Sequence, residues 1–405
     1  MRVAQINVTS ELSTGRIALG ICETLQSCGH AALLCHSRGG VPEAVPSYRI
    51  GSRLDTFIHA GLARFLDCAG FLSRRATRKL VQQLRLYKPD VVHLHNLLGY
   101  YLNIPILMEY LREANVPVVW TLHDCWPFTG HCAHYSMARC DRWRSICHHC
   151  PNKRQYPASL LLDRSKQNWL KKREVETQLE SLTLAAPSRW LAGEAQKSFL
   201  GKYPVRVLPS GIDLEAFRPA GEAAVEEAVE RWKLKKHGDK PILLSVASAW
   251  RAAKGINDLI DLQELVGDEM AIVVVGLTPR QTEVLPPEMI AVPMVHGAHS
   301  LRALYTAADI CVSLSYEESQ GLTLVEALAC GTQVLCYDQT ALPEIVTEET
   351  GAVVPAGDIG AVAEACRKLL EEPKSPEACR ARAAAFDRDT QFIEYVRLYE
   401  ELTQG

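Results

Sequence analysis

The feature that most constrains the fold is an alternation of short apolar runs with longer amphipathic segments, which occurs twice along the chain. Short apolar runs are typical of buried strands, and apolar residues at helical spacing predict helices between them. Strands separated by helices favour parallel sheets covered by helices on both faces. The predicted strands are residues 3–7, 31–36, 90–95, 116–123, 182–186 and 205–208 in the first series, and 242–247, 271–276, 290–295, 310–314 and 333–337 in the second.

A chain of 405 residues is too long for one ordinary core and suits two domains. A charged, alanine-rich stretch at about 210–240 separates the two series. We therefore predict an α/β fold with Rossmann-like domains at 1–212 and 213–382 that face each other across a cleft. Residues 383–405 form a last helix, which we expect to pack back on the N-terminal domain. Ligands of open α/β sheets bind at the carboxyl ends of the strands, where we expect the functional site.

Composition argues against several classes of protein. The formal net charge of −3 gives no general attraction to nucleic acid, so we expect no nucleic-acid partner. The first residues, MRVAQINVTSE, indicate a strand rather than a signal peptide, and no run approaches the length of a membrane span. Fourteen cysteines without a secretory signal favour a reducing compartment. We expect a cytoplasmic protein.

One segment, DICVSLSYEESQGLTLVEALACGTQVLCY, predicts a strand, a glycine-containing loop and a helix that begins near Leu322. A helix N-terminus offers unpaired backbone N–H groups and a positive dipole end, to which a diphosphate can bind. Gly321 allows the backbone to approach the phosphates, and Thr323 adds a hydroxyl donor. Glu318 and Glu326 add two carboxylates, and a carboxylate is the usual partner of a ribose diol. The alternative is an ordinary strand–loop–helix with a solvent-exposed acidic loop.

The run S-Y-E-E-S-Q-G-L-T-L-V-E-A-L-A-C-G-T-Q-V resembles, position by position, the donor-site signature of glycosyltransferase family 4. The resemblance implies the GT-B fold and a retaining transfer from a nucleotide sugar, with either UDP or GDP, without a catalytic metal. It implies that Glu318 contacts the transferred sugar or its phosphate. It also implies that the amides of Gly321, Leu322 and Thr323 bind the distal phosphates and that Glu326 binds the ribose.

Two further segments of the second half resemble the same family. The segment PSGIDLEAFRP is similar to the one by which family members enter the second domain. The segment ASAWRAAKG is similar to the family's basic phosphate clamp, which implies that Lys254 and Arg251 stabilise the departing diphosphate. The family often has an arginine five or six residues before the lysine, where this chain has Ala249 and Ser248. A solvated loop cation is therefore the alternative interpretation of Arg251.

The first half carries candidate residues at its strand ends. Gly15 lies in S-T-G-R, which resembles the family's first glycine-containing loop near the donor phosphates, although a turn glycine needs no function. His123 ends the predicted strand VVWTLHD, where family members often have a histidine that contacts the donor sugar. A histidine paired with its neighbour is the alternative. His95 and Asn96 end a neighbouring strand and are candidates for the acceptor side.

Residues 124–160 interrupt the alternation with many cysteines, histidines and aromatic residues but few aliphatic ones. Cys147 and Cys150 have the spacing of a metal knuckle, and Cys132 and Cys140 supply a second pair. Four thiolates could hold a structural zinc that orders this loop. Reduced buried cysteines, an iron–sulfur cluster and disulfides are the alternatives.

The wider block, VVWTLHDCWPFTGHCA followed by C-x6-C-x2-C-P, resembles family members from bacterial exopolysaccharide clusters of the colanic-acid type. This implies a glycan acceptor, a repeat-unit intermediate on a lipid diphosphate. The segments at 64–79 and 169–173 are basic and partly apolar, which predicts peripheral contact with an anionic membrane, at the inner face of the plasma membrane. Ordinary solvated helix faces are the alternative.

No carboxylate in the sequence can be assigned as a nucleophile for double displacement. We therefore favour front-face displacement, in which Lys254, Arg251 and the amides after Gly321 assist the departing phosphate. A nucleotide-sugar epimerase of the same architecture is the enzymatic alternative. A zinc-stabilised scaffold without catalysis is the alternative from a different class.

Overall fold

A computed structural model describes residues 1–236, 238–295 and 297–404. The chain forms two compact units: Met1–Pro209 together with the chain from Asp389 onward, and Ser210–Arg388. Within the described residues, the first unit has a seven-stranded sheet and the second a six-stranded sheet, and all pairings between their strands are parallel. The predicted α/β class, with two doubly wound sheets, is confirmed.

The first sheet is wound in both directions from its centre. Its strands are β1 (Arg2–Thr9), β2 (Ala31–Arg38), β3 (Ser47–Arg49), β4 (Val91–Leu94), β5 (Val118–Thr121), β6 (Leu182–Ala186) and β7 (Val205–Val207). They lie in the order β3-β2-β1-β4-β5-β6-β7, so the winding direction reverses between β1 and β4. A crevice at such a reversal, outside the carboxyl ends of the strands, is where open α/β sheets bind ligands.

Helices connect most of these strands, as buried parallel strands require, whereas β2 and the edge strand β3 are joined by residues 39–46 without a helix. They are α1 (Leu12–Ser27), α2 (Arg53–Leu66), α3 (Arg74–Tyr87), α4 (Ile104–Ala114), α5 (Ser165–Glu176) and α6 (Arg189–Gln196). The start of α2 has a local cause in the sequence, since Ser52 and Asp55 form a capping box. The Ser52 hydroxyl accepts from the Asp55 N–H at 3.1 Å, and the Asp55 carboxylate accepts from the Ser52 N–H at 2.8 Å.

The second sheet repeats this plan. Its strands are β8 (Ile242–Val246), β9 (Ala271–Leu277), β10 (Ile290–Pro293), β11 (Ile310–Ser313), β12 (Gln333–Tyr337) and β13 (Gly351–Val354), in the order β10-β9-β8-β11-β12-β13. Its helices are α7 (Glu222–Arg231), α8 (Ile256–Val266), α9 (Pro279–Val284), α10 (Ala298–Ala307), α11 (Leu322–Ala329), α12 (Ile359–Glu371) and α13 (Pro376–Ala383). The winding direction reverses between β8 and β11, which places a second crevice there.

The last helix, α14 (Arg388–Gln404), packs on the first unit. Phe392, Tyr395 and Tyr399 are buried in a core that also contains residues of α1 and of the first sheet. A Cβ atom added at Gly20 of α1 would lie 2.3 Å from the Phe392 ring, so a glycine at this position allows the close approach of α14. Within the described residues, no helix combines the length and apolar character that a membrane span requires.

Two strands were not predicted from the sequence. They are the short edge strands β3 and β13, which pair only with β2 and β12 in the described parts of the chain. The residues of β3 are half-buried or exposed, and so are three of the four in β13. Such strands lack the continuous apolar run by which buried parallel strands are recognised.

Candidate functional site

Two helices begin at the carboxyl ends of adjacent strands in the second unit. Helix α8 follows β8, helix α11 follows β11, and these two strands are paired. Gly255 and Gly321 occupy the N-cap positions with φ angles of 76° and 94°, in the left-handed region that favours glycine. Neither helix has a side-chain capping hydrogen bond. The backbone N–H groups of both first turns can therefore bind an anion at the crevice.

The turn that carries Lys254 is fixed against the end of β11. The Tyr316 N–H donates to the Ala253 carbonyl at 2.9 Å, and the Ser315 hydroxyl donates to the same carbonyl at 3.1 Å. A Cβ atom added at Gly255 would lie 2.1 Å from the Leu314 carbonyl oxygen. Only a residue without a side chain allows this approach, so the turn is held where the two helices begin.

Lys254 and Glu318 form an ion pair, although 64 residues separate them in sequence. The Lys254 ammonium lies 2.5 Å from Glu318 Oε1 and also donates to the Glu317 carbonyl at 3.1 Å. Both side chains are about one-fifth exposed. The Glu318 N–H donates to the Thr340 hydroxyl at 3.1 Å, which ties the loop to the segment after β12. A cation and a carboxylate are thus held together beside the two helix starts.

Glu326 lies one turn into α11 and is half-buried. Its Oε2 accepts a hydrogen bond from the Tyr305 hydroxyl at 2.8 Å. Tyr305 is fully buried, and the Thr332 hydroxyl donates to its carbonyl at 2.6 Å. Burial, followed by the Glu326 charge, raises the pKa of Tyr305, so the phenol remains a proton donor. The tyrosine therefore fixes the orientation of the carboxylate.

The other predicted residues of this unit are less tightly held. Leu322 and Thr323 are half-buried residues of the first turn of α11. Arg251 is exposed, immediately before the short 3-10 turn Ala252–Lys254, and its side chain has no hydrogen-bond or ion-pair partner in the described part of the chain. Its assignment to the phosphate clamp stays a prediction.

Sequence reasoning missed the residues that hold the loop in place. Gln320 is buried, and its side-chain amide exchanges two hydrogen bonds of 2.9 Å with the backbone of Ser210. The hydroxyls of Tyr316 and Tyr337 donate to Asp258 Oδ2 on α8, at 2.7 and 2.6 Å. Tyr305 was missed as well. These partners lie far apart in sequence, and without an alignment no local pattern identifies them.

In the first unit, the half-buried His123 is the outer end of a continuous chain of polar groups. Its Nε2 lies 3.1 Å from Nδ1 of His95, whose Nε2 lies 2.6 Å from Oε1 of Gln5. The Gln5 amide nitrogen donates to the Tyr399 hydroxyl on α14 at 3.2 Å. Burial lowers the pKa of His123 to about 4 and lowers that of His95 well below its usual range. Both imidazoles are therefore neutral at physiological pH.

The same series of hydrogen bonds continues from Tyr399 to residues of β4 and β5. The Tyr399 hydroxyl lies 2.6 Å from Nδ1 of His93, and Nε2 of His93 lies 2.7 Å from the Thr121 hydroxyl. The Thr121 hydroxyl in turn lies 3.2 Å from the Tyr395 hydroxyl. Because every member has a partner, the chain is a stable polar core that fixes the imidazole planes.

Gly15 has a structural explanation of its own. It lies within α1 rather than in the loop before that helix, and it is buried. A Cβ atom added there would lie 2.4 Å from the Ser10 carbonyl carbon. The contact with donor phosphates that the resemblance implied stays a prediction. The close packing of α1 on the end of β1 requires glycine in any case.

The structure does not support the metal centre predicted for the cysteine-rich segment. Within the described residues, no group of three or more His, Cys, Asp or Glu side chains is arranged to hold a metal ion. The predicted zinc ligands, Cys132, Cys140, Cys147 and Cys150, are therefore not supported as a site. A hydrogen bond joins Cys132 and Cys150, and the Gly130 N–H donates to Cys147 Sγ at 3.2 Å.

Aromatic packing and a buried lysine order this segment instead. Trp126, Trp143 and Trp169 belong to one core cluster, and the Trp169 indole donates to the Trp143 carbonyl at 3.0 Å. Lys172 lies 3.3 Å from the centre of the Trp126 ring and donates to the Trp126 and Thr129 carbonyls at 2.6 and 3.1 Å. We expected a metal to order this segment because it has few aliphatic residues. The large aromatic side chains supply the buried surface instead.

Two family models match the chain. The model described as Glycosyltransferase Family 4 matches residues 14–216, and the model described as Glycosyl transferases group 1 matches residues 226–386. The first match spans about half of the 405 residues. The second includes the Lys254 turn, the loop with Glu318 and helix α11.

Known proteins resemble the chain over most of its length. An Escherichia coli K12 protein named as a colanic acid biosynthesis glycosyl transferase is 25% identical over 330 residues, covering 78% of this chain and 77% of that protein. Sucrose-phosphate synthase from Thermosynechococcus elongatus has a TM-score of 0.71 at 19% identity, covering 99% and 98% of the two chains. A complex of the Anabaena protein HepE with UDP-glucose has a TM-score of 0.69 at 14% identity, covering 99% and 100%. Structural likeness at these identities shows a shared fold.

Proposed function

Because the chain belongs to glycosyltransferase family 4, we propose that it transfers a sugar from a UDP- or GDP-sugar to a hydroxyl of a glycan acceptor, with retained anomeric configuration. The observation that carries the proposal is the pair of glycine-started helices at the β8/β11 crevice, beside the Lys254–Glu318 ion pair. Two helix starts and an ammonium group suit a diphosphate. The UDP-glucose complex of a protein with this fold supports a nucleotide-sugar donor.

The donor binds with its phosphates at the start of α11, where the amides of Gly321, Leu322 and Thr323 and the Thr323 hydroxyl donate to phosphate oxygens. Glu326 accepts hydrogen bonds from the ribose hydroxyls, and the Tyr305 hydroxyl keeps its carboxylate in that orientation. Glu318 contacts the transferred sugar or its phosphate.

The chemistry is a front-face displacement. The bond between the anomeric carbon and the phosphate oxygen breaks, and the acceptor oxygen forms its bond on the same face of the sugar. The acceptor proton passes to the departing phosphate oxygen. Lys254, Arg251 and the α11 amides stabilise the negative charge that develops there. Neutral His123 accepts a hydrogen bond from a sugar hydroxyl, and the first turn of α1, which carries Gly15, lies near the donor phosphates.

The acceptor is a repeat-unit intermediate of an exopolysaccharide, carried on a lipid diphosphate. The name of the Escherichia coli relative supports this class of pathway. A lipid-linked acceptor requires that the protein reach a membrane surface.

Helix α2 has an exposed apolar stripe suited to a membrane surface. Its six large apolar residues lie on neighbouring turns and are 38–76% exposed: Leu54, Phe57, Ile58, Leu62, Phe65 and Leu66. The exposed cations Arg53 and Arg64 lie on the same helix, and four more lie on the adjoining α3 at Arg74, Arg75, Arg78 and Lys79. Apolar residues flanked by cations match the interface of an anionic bilayer. We assign this face to peripheral contact with the inner leaflet of the plasma membrane.

A panel of UDP- and GDP-sugars, tested by thermal shift on the full chain, examines the proposed function. A ligand at a hundred times its Kd stabilises the folded state by about 2.7 kcal/mol, so the cognate donor should raise Tm by several degrees. Glu326→Ala should abolish the shift, whereas Glu264→Ala, which removes an exposed carboxylate from α8, should keep it. The absence of a shift with every nucleotide sugar would contradict the proposal. Epimerisation of the donor without acceptor would identify an epimerase instead.

A further inference from the structure

A cavity of about 260 Å³ lies at the carboxyl ends of β2 and β3, on the same edge of the first sheet as His123 but several strands away. Three arginines line it. Its lining consists of Ser37, Arg38, Gly39, Arg49, Arg53 and Thr56. Arg38 and Arg49 come from the carboxyl ends of the adjacent strands β2 and β3, and Arg53 is the first residue of α2. Three separate elements therefore bring guanidinium groups to one concavity.

The side chains that line the cavity carry net positive charge, and the neighbouring Glu11 carboxylate accepts from the Gly40 N–H at 3.1 Å. The lining residues include no carboxylate. Arg38, Arg49 and Arg53 form no ion pair in the part of the chain that the structure describes. Asp55, the nearest acidic residue along α2, is occupied by the Ser52 N–H and hydroxyl. Three like charges in one concavity repel one another, which costs stability unless an anion binds there.

The cavity is partly organised before any ligand binds. Arg38 donates to the Gly99 carbonyl at 2.7 Å, which fixes its guanidinium and leaves other N–H groups available. The Ser37 and Thr56 hydroxyls lie 3.4 Å apart at the same cavity and can add two neutral donors. The volume far exceeds the roughly 30 Å³ that one water occupies in the liquid, so a group as large as a diphosphate has room.

We propose that this arginine cavity binds a phosphate or diphosphate ester of the acceptor, and thereby selects anionic, phosphate-linked acceptors. The identification of the bound ester as an acceptor rests on the proposed transferase function. The anion site itself rests on the three arginines. Arginine forks bind phosphate oxygens in bidentate fashion, and three of them offer more donors than the two oxygens of a carboxylate can accept.

The position of the cavity on the sheet agrees with this role. Strands β2 and β5, which lead to Arg38 and His123, are three strand spacings apart in the order β2-β1-β4-β5. Neighbouring strands lie about 4.8 Å apart, so these strand ends are separated by about 14 Å. An acceptor could therefore place its phosphate at the arginines and present a sugar hydroxyl along the same carboxyl edge toward His123. The apolar stripe of α2 begins at Leu54, next to Arg53, where a lipid attached to that phosphate would meet apolar surface.

The test uses inorganic pyrophosphate as the probe and calorimetric titration of the full chain. The parent protein carries Lys254→Met, which weakens pyrophosphate binding at the donor site. Adding Arg49→Gln and Arg53→Gln should weaken the remaining pyrophosphate binding at least about tenfold, since two charge-assisted contacts are lost. The matched control is Arg85→Gln with Arg112→Gln, which removes two exposed charges elsewhere in the first unit and should change affinity less than about twofold. Equal affinity in the two double variants would overturn the proposal.

Two further measurements distinguish an acceptor phosphate from a lipid headgroup as the ligand of the cavity, and distinguish the cavity proposal from the donor proposal. Binding to phosphatidylglycerol vesicles should fall no more than about fivefold in Arg49→Gln/Arg53→Gln, since Arg53 is one of several cations on the membrane face. If the variant loses vesicle binding and keeps pyrophosphate binding, the cavity binds lipid headgroups and the inference is wrong. Nucleotide-sugar thermal shifts should be unchanged by both pairs. If no nucleotide sugar raises the Tm of the wild-type protein, the donor proposal is wrong. The pyrophosphate titration still tests whether the arginine cavity binds an anion.

Discussion

His95 Nδ1 lies 3.1 Å from His123 Nε2, and this contact determines which nitrogen of His123 carries the proton. The Gln5 Oε1 atom, 2.6 Å from His95 Nε2, can only accept, so His95 is protonated at Nε2. Its Nδ1 then accepts a hydrogen bond from the protonated Nε2 of His123. His123 is thus protonated at Nε2 and presents an unprotonated Nδ1, which can accept a hydrogen bond from a sugar hydroxyl.

Gln5→Glu should reverse this arrangement. A carboxylate beside His95 Nε2 favours the doubly protonated imidazole, whose Nδ1–H would then donate to His123 and move the His123 proton to Nδ1. We expect a loss of kcat of about tenfold or more, given the usual size of positioning effects. The ¹⁵N shifts of the His123 ring should report the exchanged tautomer. Gln82→Glu on the exposed face of α3 is the charge control, and unchanged ring shifts in Gln5→Glu would refute the assignment.

His59 should make the protein less stable in mild acid. Burial lowers its pKa from 6.5 to about 4, so below about pH 6.5 the unfolded chain binds a proton that the folded chain does not. Stability contributed by the neutral form is therefore lost as the pH falls from 6.5 to 4, by up to about 3 kcal/mol. His59→Gln should flatten this part of a urea-denaturation profile against pH. A slope identical to that of the wild-type protein would show that other groups are responsible.

The sequence predicted most of the fold because buried parallel strands and their helices have local patterns. Lys254 and Glu318 were each predicted as donor-site residues from the resemblance, but their ion pair was not, because the pairing of β8 with β11 has no local pattern. The hydrogen-bonded chain that contains His123 could not be predicted from the sequence. Gln5 only interrupts an apolar run there, and its partner Tyr399 lies in α14, 394 residues away. The order of residues 124–160 was likewise missed, since the contribution of Trp126, Trp143 and Lys172 depends on how they pack in three dimensions.

Tyr305→Phe should weaken nucleotide binding with little change in fold. The substitution removes the hydroxyl that donates to Glu326 Oε2 and leaves the ring in its buried position. One hydrogen bond to a charged group contributes about 1.5–3 kcal/mol, of which we expect part to appear as a three- to tenfold rise in Kd. Calorimetry with the nucleoside diphosphate of the cognate donor measures it. Tyr87→Phe, which removes a buried hydroxyl that has no hydrogen-bond partner among the described residues, is the control. Equal affinities in the two variants would argue against a positioning role for Tyr305.

Phe57→Ser combined with Phe65→Ser should reduce binding to vesicles of phosphatidylglycerol. The two side chains are 76% and 46% exposed on α2, so their loss removes apolar contact with the bilayer without disturbing the core. Each buried phenyl group contributes about 1.5–3 kcal/mol, which predicts a loss of binding of tenfold or more in a flotation assay. Leu86→Ser with Val284→Ser, at positions elsewhere that are 75% and 77% exposed, controls for general loss of apolar surface. If both pairs float equally well, α2 is not the membrane contact.

Lys254→Met should lower the rate of sugar transfer far more than it lowers stability. The ammonium lies 2.5 Å from Glu318 Oε1 at the crevice, where charge develops on the departing phosphate. Removing one preorganised donor of this kind typically costs a factor of about 10² to 10³ in kcat. Stability should change little, because the remaining carboxylate is one-fifth exposed and can be solvated. Lys240→Met breaks a comparable ion pair with Asp268 on the surface of the same unit and should leave kcat unchanged. Donor turnover with Tm measured on both variants decides the matter: equal losses of kcat would mean that Lys254 acts only as a structural cation.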